Sequence, residues 1–459
     1  MYNVVFYDKT KEVETSREVS TKVWNEETQT YDKVIETITT TVTYRIPSKF
    51  VFTTATSCDR FFVNDKHLEE FIGEMPSLNS AVSMFENSKV TLVSGDKGEP
   101  ALFPSVTIAD NMFKRCESLT SININLSSLS NVNGLVDGCI NLTSFTGSLG
   151  ALEHGESLFE TCPKLDTFNA VLGSLINGKK MFKGTLITTF ENELPYLLDG
   201  NSMFESTPII DFSVSMPKLK TGDKMFKGCE SLTSYESSNH TALTSAVEMF
   251  KDTTSLLSIQ FSAPNLKYAD SMFENSGITT FSGDLTELSM GNFMFSNSSI
   301  DTFIVSNLDN LVGADSMFTN TSISHWNIDL PLLESGYRMF KTDTKETGIK
   351  EFSGALNSLR NGAEMFSGSG LQKFTSNLPK LSVAYDMFSG CSLDAESLMY
   401  ILESISSTTD ITIGINCEDS DEARDTFAAA TGVYYNWADI EKCSTSKNLY
   451  ITWEFNPIV

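Results

Sequence analysis

Apolar residues return along this chain at a fixed interval rather than at helical or strand spacing alone. The pair Met-Phe stands at Met84-Phe85, Met112-Phe113, Met181-Phe182, Met203-Phe204, Met225-Phe226, Met249-Phe250, Met272-Phe273, Met294-Phe295, Met317-Phe318, Met339-Phe340, Met365-Phe366 and Met387-Phe388. Leu135-Val136 and Leu158-Phe159 fill the gap between 112 and 181 as degenerate copies, giving fourteen in all, mostly 22 or 23 residues apart. Four residues after the first position comes a small residue: Cys116, Cys139, Cys162, Cys229 and Cys391, or Thr185, Thr207, Ser276, Ser298 and Thr321. A large aromatic follows, as at Phe145, Phe168, Phe190, Phe212, Tyr235, Phe281, Phe303, Trp326 and Phe374, with an aliphatic residue three positions before it.

A unit this short cannot bury its own apolar face, so neighbouring units must stack and share one core. The pattern predicts one short strand and one tight irregular or helical turn per coil. With stacked strands about 4.8 Å apart, fourteen copies make a solenoid about 65 Å long. Equivalent residues then form internal columns of Phe, of Met, of a second aromatic, and of Cys, Ser or Thr. Methionine fills gaps between stiff rings, and stacked rings favour one another modestly.

The unit Met225-Phe226-Lys227-Gly228-Cys229-Glu230-Ser231-Leu232-Thr233-Ser234-Tyr235 resembles the repeat of the BspA-type leucine-rich-repeat proteins. The resemblance covers roughly residues 78–395 and weakens near 135 and 250. It implies a leucine-rich-repeat-like solenoid. It also implies a binding or structural role, since members of the family serve as bacterial surface adhesins and similar repeats occur in phages of gut bacteria.

The ends do not repeat, which divides the chain into a β-rich N-terminal attachment or capping domain (1–77), the solenoid (78–391) and an α/β C-terminal cap (392–459). Val4-Val5-Phe6, Arg17 to Trp24 and Val34 to Ile46 read as strands, with a hairpin turn between Asn25 and Thr30. The long Thr-rich strand must pair with another segment, in this chain or in another. His67 to Ile72 reads as a short helix. In the cap, Leu393 to Ile405 has helical spacing with Asp394 as N-cap, Asp410 to Ile415 and Leu449 to Phe455 read as strands, and Asp419 to Ala430 as a helix.

Charge and composition then narrow the function. Lys plus Arg is 33 against Asp plus Glu 59, a net charge of −26, so the cationic footprint that nucleic-acid binding needs is missing. No apolar run reaches the roughly 18–20 residues of a membrane helix, and the start of the chain has no basic-then-apolar leader. The expected cysteine column is small-residue packing: zinc needs closely grouped ligands, and Ser and Thr replace Cys freely there. His67, His154, His240 and His325 are scattered, and the acidic pairs Glu418-Asp419 and Asp421-Glu422 lack a calcium-loop frame. No catalytic, cofactor or metal site is expected, and the chain reads as non-enzymatic.

The remaining surface is the strand face. Two polar residues precede the aromatic in most coils: Thr143 and Ser144, Asp166 and Thr167, Thr188 and Thr189, Thr233 and Ser234, Thr279 and Thr280, Asp301 and Thr302, Ser324 and His325. Lys350-Glu351 and Gln372-Lys373 continue the series. This predicts a flat ladder of hydroxyls and acids facing a neutral host glycan or a protein, because an acidic sheet repels phosphate-rich polymers. With the N-terminal region docking to other virion proteins or to its own copies, the expectation is a bacteriophage virion protein. Its place there would be a tail-fibre-like or appendage subunit used for assembly or host recognition. The alternative is a bacterial cell-surface adhesin.

Overall fold

The computed structural model describes residues 49–404 except 53, 238 and 344–346, together with the backbone strands in residues 3–5, 9–25, 30–46, 411–415 and 449–453. Nearly every coil contributes a short strand to a parallel ladder, and a single β-bridge residue per coil forms a second ladder, such as Asn131↔His154↔Asn177↔Asp199↔Thr221. Strands Glu70–Glu74, Leu92–Ser94, Ser121–Asn125, Ser144–Ser148 and Thr167–Val171 pair in order, in parallel, within one eight-stranded sheet. Further along, Asp211–Phe212 pairs with Ser234–Tyr235, Ser258–Gln260 with Thr280–Gly283 and Thr302–Val305, and His325–Trp326 with Glu351–Phe352 and Lys373–Phe374. The solenoid expectation therefore holds.

The Met-Phe turn is not helical. The residue before Met takes positive φ, as does the second residue after Phe: Lys180 at 56° and Gly184 at 70°, Lys224 at 60° and Gly228 at 70°. This alternation turns successive peptide planes the same way. Gly178, Lys180, Phe182 and Gly184 each donate N–H, at 2.9 Å, to the carbonyls of Asp199, Asn201, Met203 and Glu205 in the next coil. The residues between them close i→i−3 turns, as Met181 N–H does on Gly178 (3.0 Å). Gly and Asn recur at the second of these positions because positive φ costs them least, while the first also holds Ser, Lys, Glu, Arg and Phe.

The columns read from the sequence form the core. Apart from the break at Val136, rings of the Phe column stack from Phe62 to Phe388, 5.1–5.7 Å between centroids and 3–11° from parallel. The second aromatic column meets it edge-on, as at Phe212–Phe226 (4.8 Å, 67°). The Met side chain packs beneath the preceding coil. A Cβ added to Gly155, Gly178 or Gly200 would lie about 3 Å from the sulfur of Met181, Met203 or Met225, which explains the small residue there. Gly147 (φ 116°) is likewise obligatory, since its Cβ would meet the Ile124 carbonyl at 1.9 Å.

Two expectations near the N-terminus change. His67 to Ile72 is not a helix: Glu70–Glu74 is a strand with alternating burial, Phe71 inward, flanked in parallel by Lys49–Val51 and Leu92–Ser94. Coil geometry already begins at Ser57, which bridges Ser80, with Phe61-Phe62 in the place of Met-Phe. The Thr-rich strand Thr30–Ile46 finds its partner within the chain, pairing antiparallel with Lys9–Asn25 along all 17 residues. Residues 26–29, within the predicted turn, lie outside the described residues, as does Phe6.

At the other end the helix runs Ala395–Ser404, and Asp394 accepts the Ser397 N–H at 2.8 Å, the predicted N-cap. Ile411–Ile415 and Leu449–Trp453 pair in parallel. The predicted helix 419–430 lies outside the described residues, so the α/β cap does not stand as a complete unit.

Candidate binding face

All fourteen predicted face residues lie outside the core. Asp166, Thr167, Thr188, Thr189, Thr233, Asp301 and His325 are exposed, and Thr143, Ser144, Ser234, Thr279, Thr280, Thr302 and Ser324 are half-buried. Register brings them into columns: Ser144 opposite Thr167, Ser234 opposite Asp211, Thr280 between Ser258 and Thr302, and His325 opposite Glu351.

The two residues of each pair do different work. In the first column, the hydroxyls of Thr143, Thr233 and Thr279 donate backward to the carbonyls of Thr120, Ile210 and Leu257 at 3.0–3.3 Å. Those threonines stitch coils together. Thr188 makes no such bond, and Asp166 and Asp301 instead accept their neighbours' hydroxyls, from Thr167 (2.8 Å) and Thr302 (2.7 Å). In the second column, the hydroxyls of Ser144, Thr189, Ser234 and Thr280 have no protein partner, so they face solvent ready to donate and accept. His325 Nδ1 lies 2.8 Å from the Ser324 hydroxyl and Nε2 4.0 Å from Glu351. The polar stripe is broken by exposed Ile210 and Leu257, which occupy first-column places.

The cysteine column, Cys116, Cys139, Cys162, Cys229 and Cys391, is buried and holds thiols rather than disulfides, as does Cys58, which stands outside the column at the place of Ala81. Cys116, Cys139 and Cys229 donate S–H to carbonyls of the preceding coil at 2.9–3.1 Å. Thr185, Thr207 and Ser276 instead bond their own coil's Phe carbonyl at 2.7–2.9 Å. Burial pushes the thiols up, to about 11 at Cys116 and Cys229 and about 12 at Cys162, so they stay protonated and poorly nucleophilic. Among the described residues, no group of three His, Cys, Asp or Glu is placed to hold a metal, and no helix is long and apolar enough to cross a membrane.

One polar column escaped the sequence reading. Two residues before the Met stands Asp or Asn in many coils, and its side-chain oxygen accepts the N–H of the equivalent residue one coil on. The pairs are Asp59 to Val82, Asp110 to Asn133, Asn201 to Asp223, Asp223 to Val247, Asp270 to Asn292, Asn292 to Asp315 and Asp315 to Tyr337, all 2.7–3.0 Å. The recurrence at Met−2 was visible, but it resembles ordinary surface polarity. Asp223 also takes the Ser245 hydroxyl at 2.6 Å. Asp223→Ala should cost about 1–3 kcal/mol through the orphaned amide, read as a lower urea midpoint, and Asp223→Asn should recover most of it. An unchanged alanine midpoint would deny the column its stitching role.

Comparison with known proteins adds the family. The model for the BspA type leucine rich repeat region matches in six copies, over residues 102–195, 178–279, 199–315 and 269–394. No curated protein matches the sequence. Among solved structures, a leucine-rich cell surface protein from Faecalibacterium prausnitzii A2-165 is 14% identical, with 84% of this chain and 86% of that chain covered and a TM-score of 0.28. A leucine-rich-repeat protein from Bacteroides ovatus ATCC 8483 is 16% identical, covers 79% and 83%, and gives a TM-score of 0.30.

Proposed function

Because the chain belongs to the BspA-type leucine-rich-repeat family, we propose that it is a non-enzymatic recognition rod of the cell-surface adhesin type. The unpartnered second-column hydroxyls, repeated on every second coil at Ser144, Thr189, Ser234 and Thr280, carry this reading. A spaced row of small donors and acceptors along the stacked coils suits a neutral glycan or the polar surface of a protein, and the net charge of −26 disfavours polyanions.

Lysine at Ser234 and Thr280 together should lower binding of the purified chain to its target cells at least tenfold with no change in melting temperature. Full retention of binding would overturn the reading. The bacteriophage-appendage reading comes second, favoured by the long hairpin Lys9–Asn25/Thr30–Ile46, which suits docking to other virion proteins or to further copies. Mass spectrometry of purified particles, set against surface labelling of intact bacteria, separates the two.

A further inference from the structure

Of the coils between Glu70 and Phe374, the one carrying Phe190 alone adds no strand to either neighbour. The ring column is stretched on both sides of it: Phe168–Phe190 is 6.3 Å and Phe190–Phe212 6.4 Å, against 5.5–6.0 Å for other stacked neighbours in that column. One coil on, Glu236 N–H bonds the Phe212 carbonyl at 2.8 Å. Between Ser213 N–H and the Phe190 carbonyl, the equivalent pair, no bond forms. The local sequence explains the opening. Glu191 and Glu193 fall on the same side of an extended segment, where they repel one another, whereas proline at the place of Pro195 recurs at Pro217, Pro331 and Pro379 in coils that do form strands.

The opening is a groove of about 430 Å³ lined by Glu191, Glu193, Pro195, Ser213, Ser215 and Pro217. Both carboxylates are exposed and lack a basic partner. Thr188 and Thr189, the one pair in the two columns whose hydroxyls are both free, precede Phe190 on the same coil. Pro195 and Pro217 supply apolar surface, and Ser213 supplies an unpaired amide N–H. The groove therefore brings acceptors, donors and apolar surface together. A basic side chain would satisfy the carboxylates and leave the amide and hydroxyls idle. A sugar, whose hydroxyls donate and accept and whose C–H face is apolar, matches all three.

We propose that this groove is a saccharide subsite, in which Glu191 and Glu193 accept hydroxyls of a neutral sugar that rests on Pro195 and Pro217. The proposal rests on the recognition-rod reading and fixes one place on the face as the specificity-determining one. An array of neutral oligosaccharides, followed by titration of the best binder into the full chain, tests it. Glu191→Ala/Glu193→Ala should weaken that binder at least tenfold, and Ser213→Trp, which fills the groove from an exposed position, should abolish it, with melting temperatures unchanged. Thr280→Lys, four coils away, should leave it intact. Loss with Thr280→Lys but not with the groove variants would overturn the subsite and keep the rod. Binding to cells or protein with no neutral oligosaccharide bound would do the same, and no binding of any kind would overturn both.

Discussion

Phe226→Ala should destabilise the protein by about 3–5 kcal/mol, the usual cost of emptying a fully buried aromatic site. The ring is wholly buried and stacks on Phe204 and Phe250 at 5.5 and 5.6 Å. It also meets Phe212 and Tyr235 edge-on at 4.8 and 5.6 Å. Like Phe204, Phe295 and Phe366 in the same column, it loses four aromatic partners at once. In a stack where each coil touches only its neighbours, the damage also breaks cooperativity. Denaturant unfolding followed by circular dichroism should move to a lower midpoint and become shallower, as the halves on either side of coil 226 melt separately. Phe226→Leu should restore part of the loss. A midpoint within experimental error of the parent's would mean that the ring column does not hold the coils together.

The second large effect is acid-induced. His240 is buried, with Nε2 2.6 Å from the Ser237 carbonyl and 2.9 Å from the Tyr235 hydroxyl, while Nδ1 has no partner. A second proton on Nδ1 would be a buried charge with no acceptor. Burial therefore brings the imidazole down from 6.5 to about 4. A histidine lowered in the folded state supports folding fully above pH 6.5, and that support drains away between 6.5 and 4 as the unfolded chain takes up the proton. At about 1.4 kcal/mol per pH unit, the loss approaches about 3 kcal/mol. Glu364, held near 2 by the Arg338 guanidinium and then by Lys341, loses its contribution only below its ordinary range, so the two transitions separate. His240→Phe keeps a ring against Phe261, now 4.8 Å away, and should flatten the stability profile between pH 6.5 and 4. A variant profile as steep as the parent's would place the acid sensitivity elsewhere.

The fold was legible because a repeat repeats its errors as well as its signals. Twelve Met-Phe pairs outvote the degenerate Leu135-Val136, and each columned position is sampled many times. The first coil was missed for the opposite reason: Phe61-Phe62 is a single unusual copy at the end of the series, where Phe61 is 52% exposed. The segment 67–72 looked helical because Leu68, Phe71 and Ile72 fit a helical period, whereas ladder bonds to two neighbouring coils decide its conformation. The face residues were placed correctly outside. Their division into stitching and free hydroxyls was not visible, since Thr143 and Ser144 differ only in where the backbone of another coil runs. The opened coil at Phe190 was hidden for the same reason, as Glu191 and Glu193 signal a weak strand without saying that both neighbours will fail to close over it.

Apart from the junction between Leu135-Val136 and Leu158-Phe159, the Met-Phe turns send their amides the same way, from each coil to the next, so these junctions present one plug and one matching socket. Whole modules can therefore be gained or lost by in-frame duplication or deletion, each changing the reach of the molecule by a single increment and leaving both termini unaltered. A fragment cut at other than a full period would shift the columns out of register and leave its junction amides without their acceptors.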